Sequence, residues 1–284
     1  MKIGIGLPNH VRDVDASIIP SYAARAERAG FATLGTIGRI AYPGVMDTVA
    51  LAAAAGATTT IGLLSNVLLG TVWPPVLLAK EIASIDGVSG GRLTMGVGIG
   101  LRPDDFVVEG RGPRGLGKRI DADLEVYRSV WDGEPVGGGE NGAVPIGARR
   151  VPMIFGGTSP ASYRRMATWG DGYIAPATAP AYLAQNFDNA RKAWTEAGRD
   201  GSPRLAAIAY FAFGDIERGR AGVADYYSPA PAEYREVVVG SIAGGAEAAR
   251  AAVKAFADLG VDELVFQPAT ADEDEVERLA EAVL

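Results

Sequence analysis

The chain has 284 residues, 48% hydrophobic and 21% charged, the composition of a folded globular protein rather than a disordered one. Its net charge of −7 argues against general binding to nucleic acid or anionic membranes, which needs basic surface, but leaves room for a phosphate held locally by backbone amides. With no cysteine and one histidine, disulfides, thiolate metal sites and cysteine nucleophiles are ruled out; no metal site is expected, and chemistry falls to an organic cofactor.

Residues 2–7 (KIGIGL) read as a strand ended by Pro8. An amphipathic helix follows over 15–29, with Ile18, Ile19, Tyr22, Ala26 and Ala29 inward and Gly30 as its stop. A second strand spans 32–37, an alanine-rich helix 46–57, a third strand 61–67 and a helix 74–86. Ser89-Gly90-Gly91 ends that helix and Leu93, Met95 and Val97 form a fourth, buried strand. Gly96, Gly98 and Gly100 add no core volume there, so they are expected to let something flat or charged approach the backbone; small residues that accommodate curvature are the structural alternative. Helices at 119–131, 161–169, 181–197, 246–259 and 273–284 then alternate with strands at 152–155, 172–175, 205–213 and 263–267.

Eight alternating strand–helix pairs on short links predict an α/β protein with a parallel sheet, specifically a TIM (β/α)8 barrel as a single domain over 1–284. A doubly wound open sheet is the runner-up, but Pro8-Asn9-His10 follows the first strand where that fold needs its G-x-G-x-x-G phosphate turn. Three segments, 101–118, 132–150 and 214–233, are long and rich in Gly and Pro and read as insertion loops. The first and third follow strands and are expected to cover the catalytic end; the second joins a helix to a strand and belongs at the opposite face. Met1-Lys2 leads straight into a strand and no apolar run approaches a membrane span, so the expectation is a cytoplasmic protein with neither membrane nor nucleic-acid partner.

Barrel enzymes place their working groups where strands end. Those positions hold Asn9 and His10, Gly38 and Arg39, Ser65 and Asn66, Gly98, Gly100 and Arg102, then Gly156, Gly157, Thr158 and Ser159, Pro176, and Gln267. The 156–159 turn opens a helix, where free N–H groups and the positive helix end suit a phosphate; an ordinary N-cap by Thr158 or Ser159 before Pro160 is the alternative. His10 is the candidate acid–base group, and Asn9, Arg39 and Gln267 are candidates for substrate or anion contact.

The sequence helix, S-G-G-R-L, apolar strand, G-V-G-I-G over 83–100 resembles a signature of the bacterial luciferase-like flavin monooxygenase family. The order of further blocks agrees: P-x-x-x-G-G-x-S at 152–159, A-x-x-G-D-G at 167–172, Arg119-Ile120-Asp121 with Trp131-Asp132-Gly133, and LGVDEL at 259–264. The resemblance implies a flavin-dependent oxidoreductase, foremost an FMN-dependent monooxygenase acting on a small organic substrate with reduced flavin and O2. FMN would meet Ser65, Asn66, Gly98, Gly100, Arg102 and, through its phosphate, Gly156, Gly157, Thr158 and Ser159. It also implies a nonprolyl cis peptide at the end of strand three, by position Ser65–Asn66, a separate flavin reductase as partner, and a homodimer. Two alternatives stand beside it: an F420-dependent hydride-transfer enzyme, for which Arg102, Arg111, Arg114, Lys118 and Arg119 offer cations to a longer anionic tail, and a non-catalytic flavin-binding barrel. One departure is plain: many members carry an Asp-His pair after strand two, and this chain has Gly38-Arg39.

Overall fold

The structure is a computed structural model that describes residues 1–100, 102–107, 110 and 112–284. Its strands are β1 Lys2–Gly6, β2 Thr33–Thr36, β3 Gly62–Ser65, β4 Leu68–Leu69, β5 Leu93–Gly98, β6 Met153–Phe155, β7 Gly172–Ile174, β8 Arg204–Phe211 and β9 Glu263–Pro268. All pairings are parallel, and β3 meets β5 so that the sheet closes on itself. The short β4 resumes the path of β3 after a bulge and continues along β5, with Leu68 opposite Val97, so the ring has eight positions. It is the (β/α)8 barrel that the alternation predicts.

Helices α1 Ile19–Ala29, α2 Asp47–Ala57, α3 Pro75–Ser89, α5 Leu116–Trp131, α6 Pro160–Trp169, α7 Ala184–Glu196, α10 Ala246–Asp258 and α11 Glu275–Val283 pack outside the ring, while α4 Pro103–Val107, α8 Ile216–Tyr226 and α9 Ala232–Gly240 lie in its long crossovers. Burial follows from strand alternation. Leu34, Leu63, Leu93, Met95 and Phe266 point out into a core shared with the helices. Leu64, Ile154, Ile174, Ala206, Ile208 and Val265 point in and fill the barrel.

The S-G-G-R-L stretch is structural. Gly90, at φ +71°, is the left-handed residue that ends α3 and turns the chain into β5. Arg92 reaches the end of α2, donating to the carbonyls of Ala55 and Thr58 (both 3.0 Å) and of Ile61 (2.6 Å), where a cation complements the helix dipole.

Segment 132–150 lies at the end of the barrel away from the mouth, as expected: Arg149 holds Asp86, near the end of α3, at 2.8 and 3.0 Å. The expectation of a loop over 214–233 is corrected, because most of it is α8 and the start of α9. Its Gly and Pro masked a helical spacing of Val223 and Tyr226, both buried, and Ser228–Pro231 is only the link between two helices. The cis peptide is also one bond further along than expected, at Asn66–Val67 rather than Ser65–Asn66.

Candidate active site at the barrel mouth

Two adjoining cavities open at the C-terminal ends of the strands. The inner one, about 170 Å³, is lined by Ile37, Asn66, Val67, Pro176, Ile208 and Tyr210 among others. The outer one, about 670 Å³, is lined by Arg39, Leu69, Pro103, Asp105 and the 229–231 link. Gly38, Arg102, Tyr227 and Tyr234 belong to both walls. The outer volume lies in the range of small-molecule sites.

The β3–β4 bulge is the floor of this site, and glycine makes it fit. A Cβ on Gly96 would overlap the Ser65 carbonyl, and one on Gly98 would come within 2.8 Å of Val67. Ser65 fixes the bulge by donating from Oγ to the Gly96 carbonyl at 2.8 Å. The space that side chains would take at Gly98 and Gly100 is filled from within the chain. The chain's own Val67 fills the space over Gly98, and Leu69 and Phe106 fill that over Gly100. What the glycines deliver to the cavity is the next residue along the bulge, Asn66.

Asn66 is 6% exposed, lines the inner cavity, and leaves both Oδ1 and Nδ2 without a hydrogen-bond partner. Gln267, fully buried on β9, leaves Oε1 and Nε2 equally unpartnered. Both carboxamides crowd Gly35, where a Cβ would overlap Asn66 Nδ2 and lie 3.2 Å from Gln267 Nε2. Buried amides are normally paired, so this cluster is a place where hydrogen-bonding capacity is held in reserve.

The other candidates divide clearly. Asn9 is a strut: its Nδ2 donates to the Ile37 carbonyl at 2.7 Å and the Val45 carbonyl at 3.1 Å, joining the ends of β1 and β2. His10 sits one layer behind the cavity wall, edge-on to Tyr210 and Tyr226. Burial lowers its pKa to about 4, offset in part by the Leu7 and Pro268 backbone, so it is a neutral base at pH 7 and not an acid. Arg39 is buried and spent: it pairs with Asp104 and Asp105 of α4 and donates to the Tyr226 carbonyl at 3.4 Å. Asp105 in turn accepts from the Ile40 and Ala41 amides, both at 2.9 Å.

The 156–159 turn is both a cap and an exposed amide corner. Ser159 Oγ accepts from Ser162 N at 3.2 Å, which makes it the N-cap of α6, with Pro160 in the first turn. Gly157, at φ +109°, turns the backbone there, and Gly157 and Thr158 are exposed. Gly156 adjoins Val67, so this corner abuts the bulge that lines the inner cavity. Arg165 of α6 pairs with Asp121 at 2.7 Å and donates to the Gly117 carbonyl at 3.3 Å, tying the start of α5 beside it. Arg114, Lys118 and Arg119 at that start have no ion pair among the described residues, and Arg111 lies outside the described residues.

Tyrosines form the remaining wall. Tyr42, Tyr226, Tyr227, Tyr210 and Tyr234 meet in a chain of edge-to-face contacts with centroids 5.0–6.2 Å apart. Burial raises all their pKa values, that of Tyr226 to about 12, so the hydroxyls are protonated donors at neutral pH. Sequence reasoning missed Tyr234; its spacing to Val237 and Val238 is the helical signal that could have found it. Arg102 stacks on Tyr226 and Tyr227 at 4.8 and 5.1 Å.

A family model described as luciferase-like monooxygenase matches residues 1–281. An uncharacterized protein of Mycobacterium tuberculosis is 32% identical over 174 residues, 56% of this chain and 60% of that protein, so the chain matches about three fifths of that relative's length. A second uncharacterized M. tuberculosis protein is 28% identical over 206 residues, 62% of this chain and 71% of that one. Among solved structures, an F420-dependent secondary alcohol dehydrogenase in complex with an F420-acetone adduct superposes with a TM-score of 0.80 at 18% identity, covering 99% of this chain and 98% of that one. The oxygenating constituent of 3,6-diketocamphane monooxygenase from Pseudomonas putida, in complex with FMN, gives 0.75 at 15% identity, covering 99% and 95%. These likenesses show a shared fold.

Proposed function

The chain belongs to the luciferase-like monooxygenase family, whose members are flavin- or F420-dependent oxidoreductases, and from that premise we propose that it uses F420 to oxidise or reduce a small organic substrate at the barrel mouth. The observation that carries the reading is Asn66, a buried carboxamide on the cavity wall with neither polar atom paired. The polar edge of a flavin or deazaflavin ring offers the donors and acceptors that such an amide lacks. Next to it, the exposed Gly157 and Thr158 amides at the start of α6 suit the phosphate. Arg114, Lys118 and Arg119 at the mouth end of α5 favour the longer anionic tail of F420 over the single phosphate of FMN.

When bound, the deazaflavin supplies a hydride donor or acceptor. The residues of this chain hold, cover and orient. Asn66 anchors the ring edge and Val67 lies against the phosphate corner. Tyr210, Tyr226, Tyr227 and Tyr234 exclude water, and Tyr226 keeps its proton near neutral pH for donation to a substrate oxygen.

An FMN-dependent monooxygenase is the second reading, favoured by the tyrosine and proline walls of the outer cavity, which suit a water-poor chamber for oxygen chemistry. Fluorescence titration of both cofactors, oxidised and reduced, separates the two. F420 is expected to bind at least roughly tenfold more tightly than FMN and to weaken with salt, as contacts to exposed cations do. The opposite order selects the second reading, and no binding of either ring overturns both.

A further inference from the structure

We propose that Arg102 is the recognition group for a substrate carboxylate, so that the outer cavity takes small organic acids with an apolar or aromatic body. The proposal rests on the oxidoreductase reading for the existence of a substrate, and adds that substrate's chemical class. The reasoning begins with charge. Four other arginines of the mouth and barrel meet oxygen: Arg39 meets Asp104 and Asp105, Arg165 meets Asp121, Arg204 meets Glu263, and Arg92 meets helix carbonyls. Arg102 has no carboxylate partner among the described residues, and its guanidinium lies over two tyrosine rings instead. Ring faces attract a cation without neutralising it, and a guanidinium that gives one hydrogen bond to Tyr226 still has N–H donors left for a ligand.

The nearby carboxylates are already engaged. Asp104 and Asp105 are held by Arg39 and by backbone amides, and Asp225 by Arg12 and Tyr42. Arg102 lines both cavities, and the reach of its guanidinium ties it to the outer one. Arg102 leaves the end of β5 but reaches to Tyr226 and Tyr227 at the end of α8, which follows β8. The phosphate corner follows β6, two strand positions away around the ring. Arg102 therefore faces the chamber formed by Pro229, Ala230, Pro231 and Tyr234, whose apolar walls suit a carbon skeleton behind the acid group. A guanidinium is suited to this task because its fork matches a carboxylate with two parallel hydrogen bonds.

The test is isothermal titration calorimetry on the full chain, with and without F420 or FMN, using benzoate, phenylacetate and hexanoate, each paired with its carboxamide. The wild type is expected to bind at least one of the acids roughly tenfold more tightly than its amide. Arg102→Gln is expected to remove that preference, Arg102→Lys to retain part of it, and both to weaken the acid by a larger factor than the ring. The proposal is overturned if no acid outcompetes its amide in the wild type, if the preference survives Arg102→Gln, or if Arg102→Gln weakens the ring and not the acid. A chain that prefers acids through Arg102 yet binds neither ring would refute the oxidoreductase reading and leave this inference standing.

Discussion

The two ends of the barrel interior are built on the same strands and finished in opposite ways. At the N-terminal end Glu263 is fully buried, and both its oxygens are used: one accepts from Thr33 Oγ1, the other pairs with Arg204, which also reaches Thr94 Oγ1 at 3.3 Å. Four residues from four strands form a closed polar plug. Two barrel layers above, past Val265, Asn66 and Gln267 are also buried and leave all four of their side-chain polar atoms unpaired. A folded chain pays a desolvation cost for such groups, so polarity that is satisfied internally reads as architecture and polarity that is not reads as a place for a ligand.

The largest effect should come from breaking the closed end. Arg204→Met strands a buried carboxylate and is expected to cost about 3–5 kcal/mol in urea unfolding, with ring affinity of the folded protein unchanged. A loss under about 1 kcal/mol would mean that the plug is not the structural partner of the mouth. Next in size is Gly96→Ala, which drives a methyl group into the Ser65 carbonyl. It is expected to cost about 3 kcal/mol and, because the bulge carries Asn66 and Val67 to the cavity, to abolish ring binding as well. Here one substitution affects both ends of the comparison, and intact binding would show that Asn66 reaches its ligand without the bulge.

The barrel and its mouth are legible in the sequence, and the plug at the other end is not. Strand–helix alternation gave the barrel, and the positions after each strand gave the mouth, because a parallel sheet forces every crossover to return its chemistry to the same end. Asn66 and Gln267 were found that way. What periodicity does not carry is partnership. Nothing local distinguishes Arg39, neutralised by Asp104 and Asp105 some 65 positions on, from Arg102, stacked on tyrosines more than 120 positions on. The glycines of β5 read as room for a ligand because the sequence shows a missing side chain but not what fills its space, which at Gly98 is Val67 of the bulge. The 214–233 segment failed for a different reason: its Gly and Pro residues outweighed a short helical pattern whose buried face is only two or three residues wide.

The open end is tested by substitutions that keep shape and remove polarity. Asn66→Leu is expected to leave folding stability within about 1 kcal/mol, since an unpaired amide contributes nothing that the leucine loses. The same variant should weaken ring binding roughly tenfold in the fluorescence titration. Gln267→Met, deeper in the barrel, should be neutral or slightly stabilising in the same unfolding assay. A destabilisation of either variant comparable to that of Arg204→Met would erase the distinction between the two ends.

The smallest effect is one that two buried groups near the mouth hide from each other. His10 has a pKa of about 4 in the folded chain against an ordinary 6.5, because burial disfavours its charged form. The unfolded chain therefore holds the extra proton between those values, and this contribution to stability is lost as pH falls through the window. Asp47, buried at the start of α2 against Gly38 of the cavity wall, is pushed by burial up to about 6 from 3.8. There the folded chain holds the extra proton, so stability rises as pH falls from about 6 toward 3.8. Between pH 7 and pH 5 each group changes stability by about 1–2 kcal/mol in opposite directions, and the net change from the pair is under about 1 kcal/mol. Replacing one group should expose the other: His10→Gln should make the protein more stable at pH 5 than at pH 7, and Asp47→Asn less stable. Two variants with the flat profile of the parent would mean that neither group titrates from its buried position, and that the mouth is wetter than its tyrosine walls imply.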